Sequence, residues 1–441
     1  MKSFNSKSIL FLIITLTGLL LFLGSAQAQD PSTTTIGDSG GFQTAAEVQS
    51  YWTEERMASA ISMPVPNAEM SAGADSESSL MAEKELVEVG EPGFAPAWSP
   101  NSGQPQPDPM VSFTLDDLSG MADAAPMHGP VPTNPLYGPY APFQRWTWYG
   151  NYTRQDTQTL GKLFFSIGSQ DFVCTASVIG QGTIATAAHC LKSDLDGNGS
   201  AETWHTNWLF CPSYYGGGVY PTRGCWGWTA AKVSSNWASQ SALDRDYACI
   251  VTAPTGTVQN KKVGNVTGWA GRAWNFPSSQ MVFSWGYPLG PTWPEVPGLG
   301  GEGPRPFPGY HVITAASTEW YEVNMTAGDG QVSKYMGNDM TGGSSGGPWW
   351  LSVSHRTAEY TDTDGFWETD PPGCGTLDAP CVPGGPYING VNSHKRCLND
   401  CWKPVATAGI YFQEMGSPQF RNTEGDTDES EDVFAWCLER D

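Results

Sequence analysis

The chain has 441 residues, ten cysteines and 45 acids against 22 lysines and arginines, for a net charge of −23. Such an excess of acid argues against a nucleic-acid backbone as partner. The length suits two or three domains with a large buried core, and the cysteine count fits an oxidising compartment.

The chain opens with Lys2 and Lys7, an apolar run from Ile9 to Leu23, then Ala26-Gln27-Ala28. A charged start, an apolar core and small residues at the cleavage point predict a signal peptide over 1–28. The mature protein is therefore expected to be secreted, without a membrane anchor once the signal is cut. Residues 29–144 are rich in Ala, Pro, Ser and Glu, and residues 29–140 alone hold 16 acids against 2 bases. They read as a propeptide or a disordered acidic leader, broken by the helix-favouring, aromatic stretch Tyr51 to Met57.

From residue 145 the composition turns to strands. Lys162 to Ile167, Phe172 to Ile179 and Thr183 to Thr186 are predicted strands leading into Thr186-Ala187-Ala188-His189-Cys190. Asp194-Leu195-Asp196-Gly197-Asn198-Gly199 places oxygen ligands at first, third and fifth positions as a calcium loop does, though His205 stands where the closing glutamate belongs. A plain Asp/Gly turn is the other reading. Residues 203–245 look like a Trp- and Gly-rich insertion, followed by Asp246-Tyr247-Ala248-Cys249-Ile250-Val251. Met281 to Trp285 and Tyr387 to Ser393 are further strands, with Pro/Gly loops over 289–308 and 358–385. Glu424 to Asp432 reads as a mobile acidic tail.

Between those last strands lies Thr341-Gly342-Gly343-Ser344-Ser345-Gly346-Gly347-Pro348. A serine among glycines can sit on a tight turn whose N–H groups converge on one point, as an oxyanion hole requires. Serine needs a base and an orienting acid, and His189 and Asp246 stand 57 and 99 residues ahead of the next member in the order His, Asp, Ser.

On these three motifs the chain resembles the chymotrypsin-fold serine peptidases, and within them the secreted, glutamyl-endopeptidase-like branch. The resemblance spans about residues 145–420. It implies an all-β fold of two Greek-key six-stranded β-barrels, the first over about 145–262 and the second over about 263–420, with the active site in the cleft between them. It implies Ser345 as nucleophile, His189 as base, Asp246 rather than Asp244 as orienting acid, and the N–H groups of Gly343 and Ser345 as oxyanion hole. It implies a Cys174–Cys190 bridge, while local Cys211–Cys225 and Cys374–Cys381 pairs are the simplest guess for four of the rest.

Substrates would be proteins or peptides, no cofactor would be required, and the chain would act as a monomer. Asp339, Asn392, Ser393 and His394 would line the substrate pocket. Asp339 matches the acid of enzymes that cleave after basic residues, and Asn392 stands where relatives that cleave after Glu have histidine. The residue before the nucleophile is Ser344, not the aspartate that receives a freed N-terminus in tryptic zymogens. Two other classes fit parts of the pattern. One is a non-catalytic binding protein on the same scaffold. The other is an α/β-hydrolase using Gly343-x-Ser345-x-Gly347 with Asp378 and His394, which leaves His189 and Asp246 unexplained.

Overall fold

The computed structural model describes residues 34–37, 43–70, 92–100, 106–114, 133–134, 138–139, 143–149, 152, 155–276, 281–290, 307–318, 322–323, 332–351, 386–398, 410–411, 414–423 and 426–441. The expected signal peptide, the insertion over 358–385, Asp378 and the Cys374–Cys381 pair lie outside them. No helix among the described residues is long and apolar enough to cross a membrane.

Ahead of residue 145 the described stretches are ordered against the rest of the chain. Strand β1 (Thr35–Ile36) pairs with Ala231 and Lys232. Helix α1 (Ala45–Tyr51) starts at Thr44, whose hydroxyl accepts the Glu47 N–H while the Glu47 carboxylate takes the Thr44 N–H. Thr53 caps α2 (Glu54–Ser59) in the same manner. Between them Trp52 is buried and donates its indole N–H to the Asn207 carbonyl at 2.6 Å. A leader that is acidic overall can dock because a few apolar side chains (Ile36, Val48, Trp52 and Ala60) are enough to anchor it. It continues as β2 (Ile61–Ser62), β3 (Asn67–Met70), β4 (Gly93–Ala95) and β5 (Gln144–Thr147).

Six strands then close a barrel: β6 (Leu160–Ile167), β7 (Gln170–Val178), β8 (Thr183–Thr186), β9 (Thr206–Pro212), β10 (Trp226–Val233) and β11 (Ala248–Thr252). Going round, β6 pairs with β7, β7 with β8, β8 with β11, β11 with β10, β10 with β9 and β9 with β6, all antiparallel. Closure removes exposed edges, so the barrel needs no capping strands of its own. Two of these strands, β9 and β10, come from the stretch that reads as an insertion. Nearly all their side chains are buried, so no alternation of apolar and polar residues marks them as strands.

The second half is built on an open sheet. Its strands β12 (Gly271–Trp274), β13 (Met281–Gly286) and β14 (Ile313–Thr318) join β16 (Pro348–Leu351) and β17 (Tyr387–Val391) in the order β4-β12-β17-β16-β13-β14-β5. Beside it β15 (Ser333–Gly337) pairs with β19 (Glu414–Pro418), and β18 (Lys395–Leu398) pairs with β3 of the leader. The core is dominated by enclosed tryptophans, Trp208, Trp226, Trp285, Trp349 and Trp350 among them, so the many tryptophans serve packing.

Residues 426–441 do not form the mobile tail that their acidity suggests. The Asp428 carboxylate accepts the N–H groups of Ser235 (2.6 Å) and Asn236 (3.2 Å) and lies 3.9 Å from Arg245. Helix α3 (Ser430–Leu438) buries Val433, Phe434 and Cys437 completely. Cys437 is bridged to Cys249 in β11, beside the Cys174–Cys190 and Cys211–Cys225 bridges. Closing a loop of 188 residues is worth about 5 kcal/mol in the chain-entropy account. Phe434→Ala should therefore lower unfolding free energy by about 3–5 kcal/mol in a denaturant titration. A loss below about 1 kcal/mol, the range of surface substitutions, would mean the helix does not belong to the folded core.

Candidate active site

His189 sits on a single 3-10 turn (Ala188–Cys190) directly after β8, held by the Cys190–Cys174 bridge to β7. Asp246 closes another such turn (Leu243–Arg245) just before β11, the strand next to β8. Neighbouring strand ends thus carry base and acid to one place. The His189 Nδ1 lies 2.7 Å from Asp246 Oδ2, and the His189 backbone N–H donates to Asp246 Oδ1 at 2.8 Å. The Ser393 hydroxyl donates to Asp246 Oδ2 at 2.6 Å. Asp246 is fully buried, which by itself would push its pKa up. The interactions with His189 and Ser393 outweigh burial and hold the carboxyl below the usual range. Asp244 is also fully buried, yet the contacts to His189 belong to Asp246.

The turn carrying Ser345 is pinned from several sides without an ion pair. Ser344 donates both its N–H (3.2 Å) and its hydroxyl (2.8 Å) to the Thr341 carbonyl. From β7, Thr175 gives its hydroxyl to the Gly343 carbonyl (2.9 Å) and its N–H to the Ser345 carbonyl (2.7 Å). The Asn392 amide reaches the Ser344 carbonyl at 3.1 Å. Gly343 has φ near +87°, a backbone state that glycine adopts without strain. Neutral hydrogen bonds thus shape the turn around Ser344.

Ser345 and His189 are 0% and 3% exposed, and neither Ser345 Oγ nor His189 Nε2 has a hydrogen-bond partner among the described residues. The segment from β2 to β3 lies against this spot. Its Met63 carbonyl accepts the Gly343 N–H at 3.2 Å, Met63 N–H donates to Val173 at 3.0 Å, and the Pro66 carbonyl takes the Lys395 N–H at 2.8 Å. A Cβ added to Gly342 would meet the Met63 oxygen at 2.7 Å, which shows how closely the two backbones approach. Nothing in the local pattern of residues 61–67 signals this contact.

The residues expected in the pocket have partners inside the protein. Asp339 is ion-paired with Arg145 of β5; burial raises its pKa, opposed by Arg145 and the buried Lys395. Its charge is thus matched by Arg145. Asn392 accepts from Ser284 and Trp349 and donates to Trp285 and Ser344, so its whole amide is structural. Ser393 and His394 are enclosed and stand behind Asp246. In the loop after His189, the Asp194 carboxylate accepts the N–H groups of Gly197 and Gly199 at 2.7 Å and of Asn198 at 3.2 Å, with Asp196 and Asn198 capping the next amides. The oxygens suggested for calcium therefore serve the turn's own backbone, although Asp194, Asp196 and Glu202 do converge.

The chain thus combines a closed antiparallel barrel, an open second sheet, a buried His189–Asp246 pair and a glycine-framed Ser345. The architecture is chymotrypsin-like. No family model and no curated protein matches the chain. Among solved structures it is similar to the protease Anisep from Arthrobacter nicotinovorans, at 23% identity over 60% of this chain and 90% of that one, TM-score 0.40. It is also similar to the thermostable serine protease AL20 from an extremophilic microorganism, at 26% identity over 60% and 92%, TM-score 0.39. A Glu endopeptidase in complex with MPD aligns at 14% identity over 69% and 98%, TM-score 0.36.

If the three residues act as a unit, Ser345→Ala or His189→Ala should cut peptide hydrolysis by roughly a millionfold, and the double variant should lose little more. Asp246→Asn should lose somewhat less. Steady-state kinetics decide it: Ser345→Ala with more than a few per cent of wild-type activity would remove Ser345 from the reaction.

Proposed function

We propose that this chain is a secreted serine endopeptidase, made as a latent precursor. The observation that carries the reading is the buried Asp246 carboxylate bonded to both the ring and the backbone of His189, beside the turn of Ser345. In the reaction Ser345 attacks the scissile carbonyl and His189 takes its proton, later passing it to the leaving amine. Asp246 keeps the imidazole proton on Nδ1, so that Nε2 faces the nucleophile, and stabilises the imidazolium. The N–H groups of Gly343 and Ser345 receive the oxyanion. No step calls for a metal or an organic cofactor. A non-catalytic role on the same scaffold would leave the ionised, fully buried Asp246 without a purpose.

Latency follows from the leader. An oxyanion donor that is bonded to the Met63 carbonyl cannot bond a substrate, and a nucleophile with no exposed surface cannot be reached. Residues 29–144 are then a propeptide whose Ile61 to Asn67 stretch covers the site until it is displaced. The preference at the cleaved bond depends on whether Arg145, the first residue after the proposed propeptide, stays paired with Asp339.

The test compares the uncut full chain with a full-length Met63→Pro variant, which lacks the N–H donated to Val173. Losing one hydrogen bond of the strap should raise both fluorophosphonate labelling at Ser345 and peptide turnover by up to about tenfold. Equal rates in the two proteins would contradict latency. Labelling that survives Ser345→Ala, or no labelling of either protein, would contradict the serine-peptidase reading itself.

A further inference from the structure

Behind Asp246 stands a second histidine that the triad does not use. His394 is fully enclosed, with Ser393 Oγ 2.8 Å from its Nδ1 and the Tyr335 hydroxyl 2.9 Å from its Nε2. We propose that Tyr335 and His394 are positioning residues for the reaction, fixing the Ser393 hydroxyl on Asp246 through a one-way chain of hydrogen bonds. The inference rests on the triad reading and extends it to two side chains beyond the cleft.

The direction of every proton follows from the carboxylate end. An ionised Asp246 can only accept, so the single Ser393 hydroxyl proton points to its Oδ2. Ser393 Oγ must then accept from His394, which puts the His394 proton on Nδ1. Burial pushes the His394 pKa down to about 4, so the ring is neutral and its Nε2 is bare. A bare Nε2 accepts, and Tyr335 is left to donate. The charged groups that face His394 are Asp246 and His189. From the adjoining backbone, Lys395 turns its ammonium to the Asn338 carbonyl at 2.8 Å.

The place is shaped for an imidazole. Gly416 of β19 pairs with His394, and a Cβ there would come within 2.3 Å of His394 Nε2. Tyr335, on neighbouring β15, meets the ring edge-on at a centroid distance of 5.3 Å. Ordinary core packing at this site would be met by any apolar side chain. A neutral imidazole with a donor on one side and an acceptor on the other is what an oriented chain demands.

The consequence is chemical. With the chain in place, Asp246 Oδ2 receives two donors, His189 Nδ1–H and Ser393 Oγ–H, and neither can swing away. Without it the Ser393 hydroxyl is free to rotate. Asp246 then becomes more basic, and His189 holds its proton to higher pH.

The test is the pH dependence of peptide hydrolysis by the full-length Met63→Pro protein, in which the strap over the site is loosened, with Tyr335→Phe, His394→Leu and a Ser345→Ala control each made in that background. Both variants should lose about three- to tenfold in kcat at unchanged KM, as expected for one hydrogen bond. In both, the acid limb of kcat/KM should move up by about half a pH unit, because a poorer-solvated Asp246 raises the proton affinity of its partner. His394→Gln, whose amide can still donate to Ser393, should recover part of the rate lost in His394→Leu. An unmoved acid limb in Tyr335→Phe, a variant that keeps the ring and the packing, would overturn the proposal. So would equal rates for the Gln and Leu variants. A Ser345→Ala control as active as its Met63→Pro parent would instead overturn the triad on which the proposal rests.

Discussion

A carboxylate with no access to water can stay ionised only if the protein supplies the donors that water would have given. Asp246 is in that position, fully buried yet held in its charged form. Its two oxygens are served by the His189 ring, the His189 backbone N–H and Ser393. The donors come from two parts of the chain: His189 from the turn after β8 in the barrel, and Ser393 from just beyond β17 in the second sheet. Placing a charge there obliges the two halves to meet in one geometry, since a missing donor would leave a buried charge uncompensated.

Much else in the structure can be understood as support for that point. The Cys174–Cys190 bridge fixes the turn that presents His189, and Thr175 of the same strand fixes the turn that presents Ser345. One strand, β7, thereby fixes both the His189 turn and the Ser345 turn. The C-terminal segment secures the other flank: the Arg245–Asp428 contact, the Asp428 carbonyl on Tyr247 Oη and the Cys249–Cys437 bridge all hold the residues on either side of Asp246. The acids of this segment are bonded to backbone and arginine, which is why its negative charge does not leave it solvated.

The candidate site residues stand out because their pattern is local in sequence. His189 beside Cys190, Asp246 at the head of an apolar strand, and Ser345 among glycines each announce themselves within a few residues. The strands β6, β7 and β8 were legible for the same reason. Strands β9 and β10 were not, because burial on both faces erases the alternation from which a strand is read. The long-range partners were illegible in principle. Nothing near Arg145 points to Asp339, nothing near Tyr335 points to His394, and nothing near Met63 points to Gly343. In each case two segments that are unremarkable alone are brought into contact, and only the fold holds that information. The acidic composition of the leader and of the C-terminal segment misled for a related cause. Net charge averages over a stretch, whereas docking depends on a handful of apolar contacts such as Trp52 and Phe434.

The central claim is that a buried, ionised Asp246 orients His189 through the ring Nδ1 proton. Proton NMR of the full-length protein reads this bond directly, because an imidazole N–H held on a carboxylate resonates far downfield of the amides. One such resonance should be present in the wild type and in Ser345→Ala, and absent from both Asp246→Asn and His189→Ala. Its absence from the wild type, or its survival in Asp246→Asn, would contradict the account.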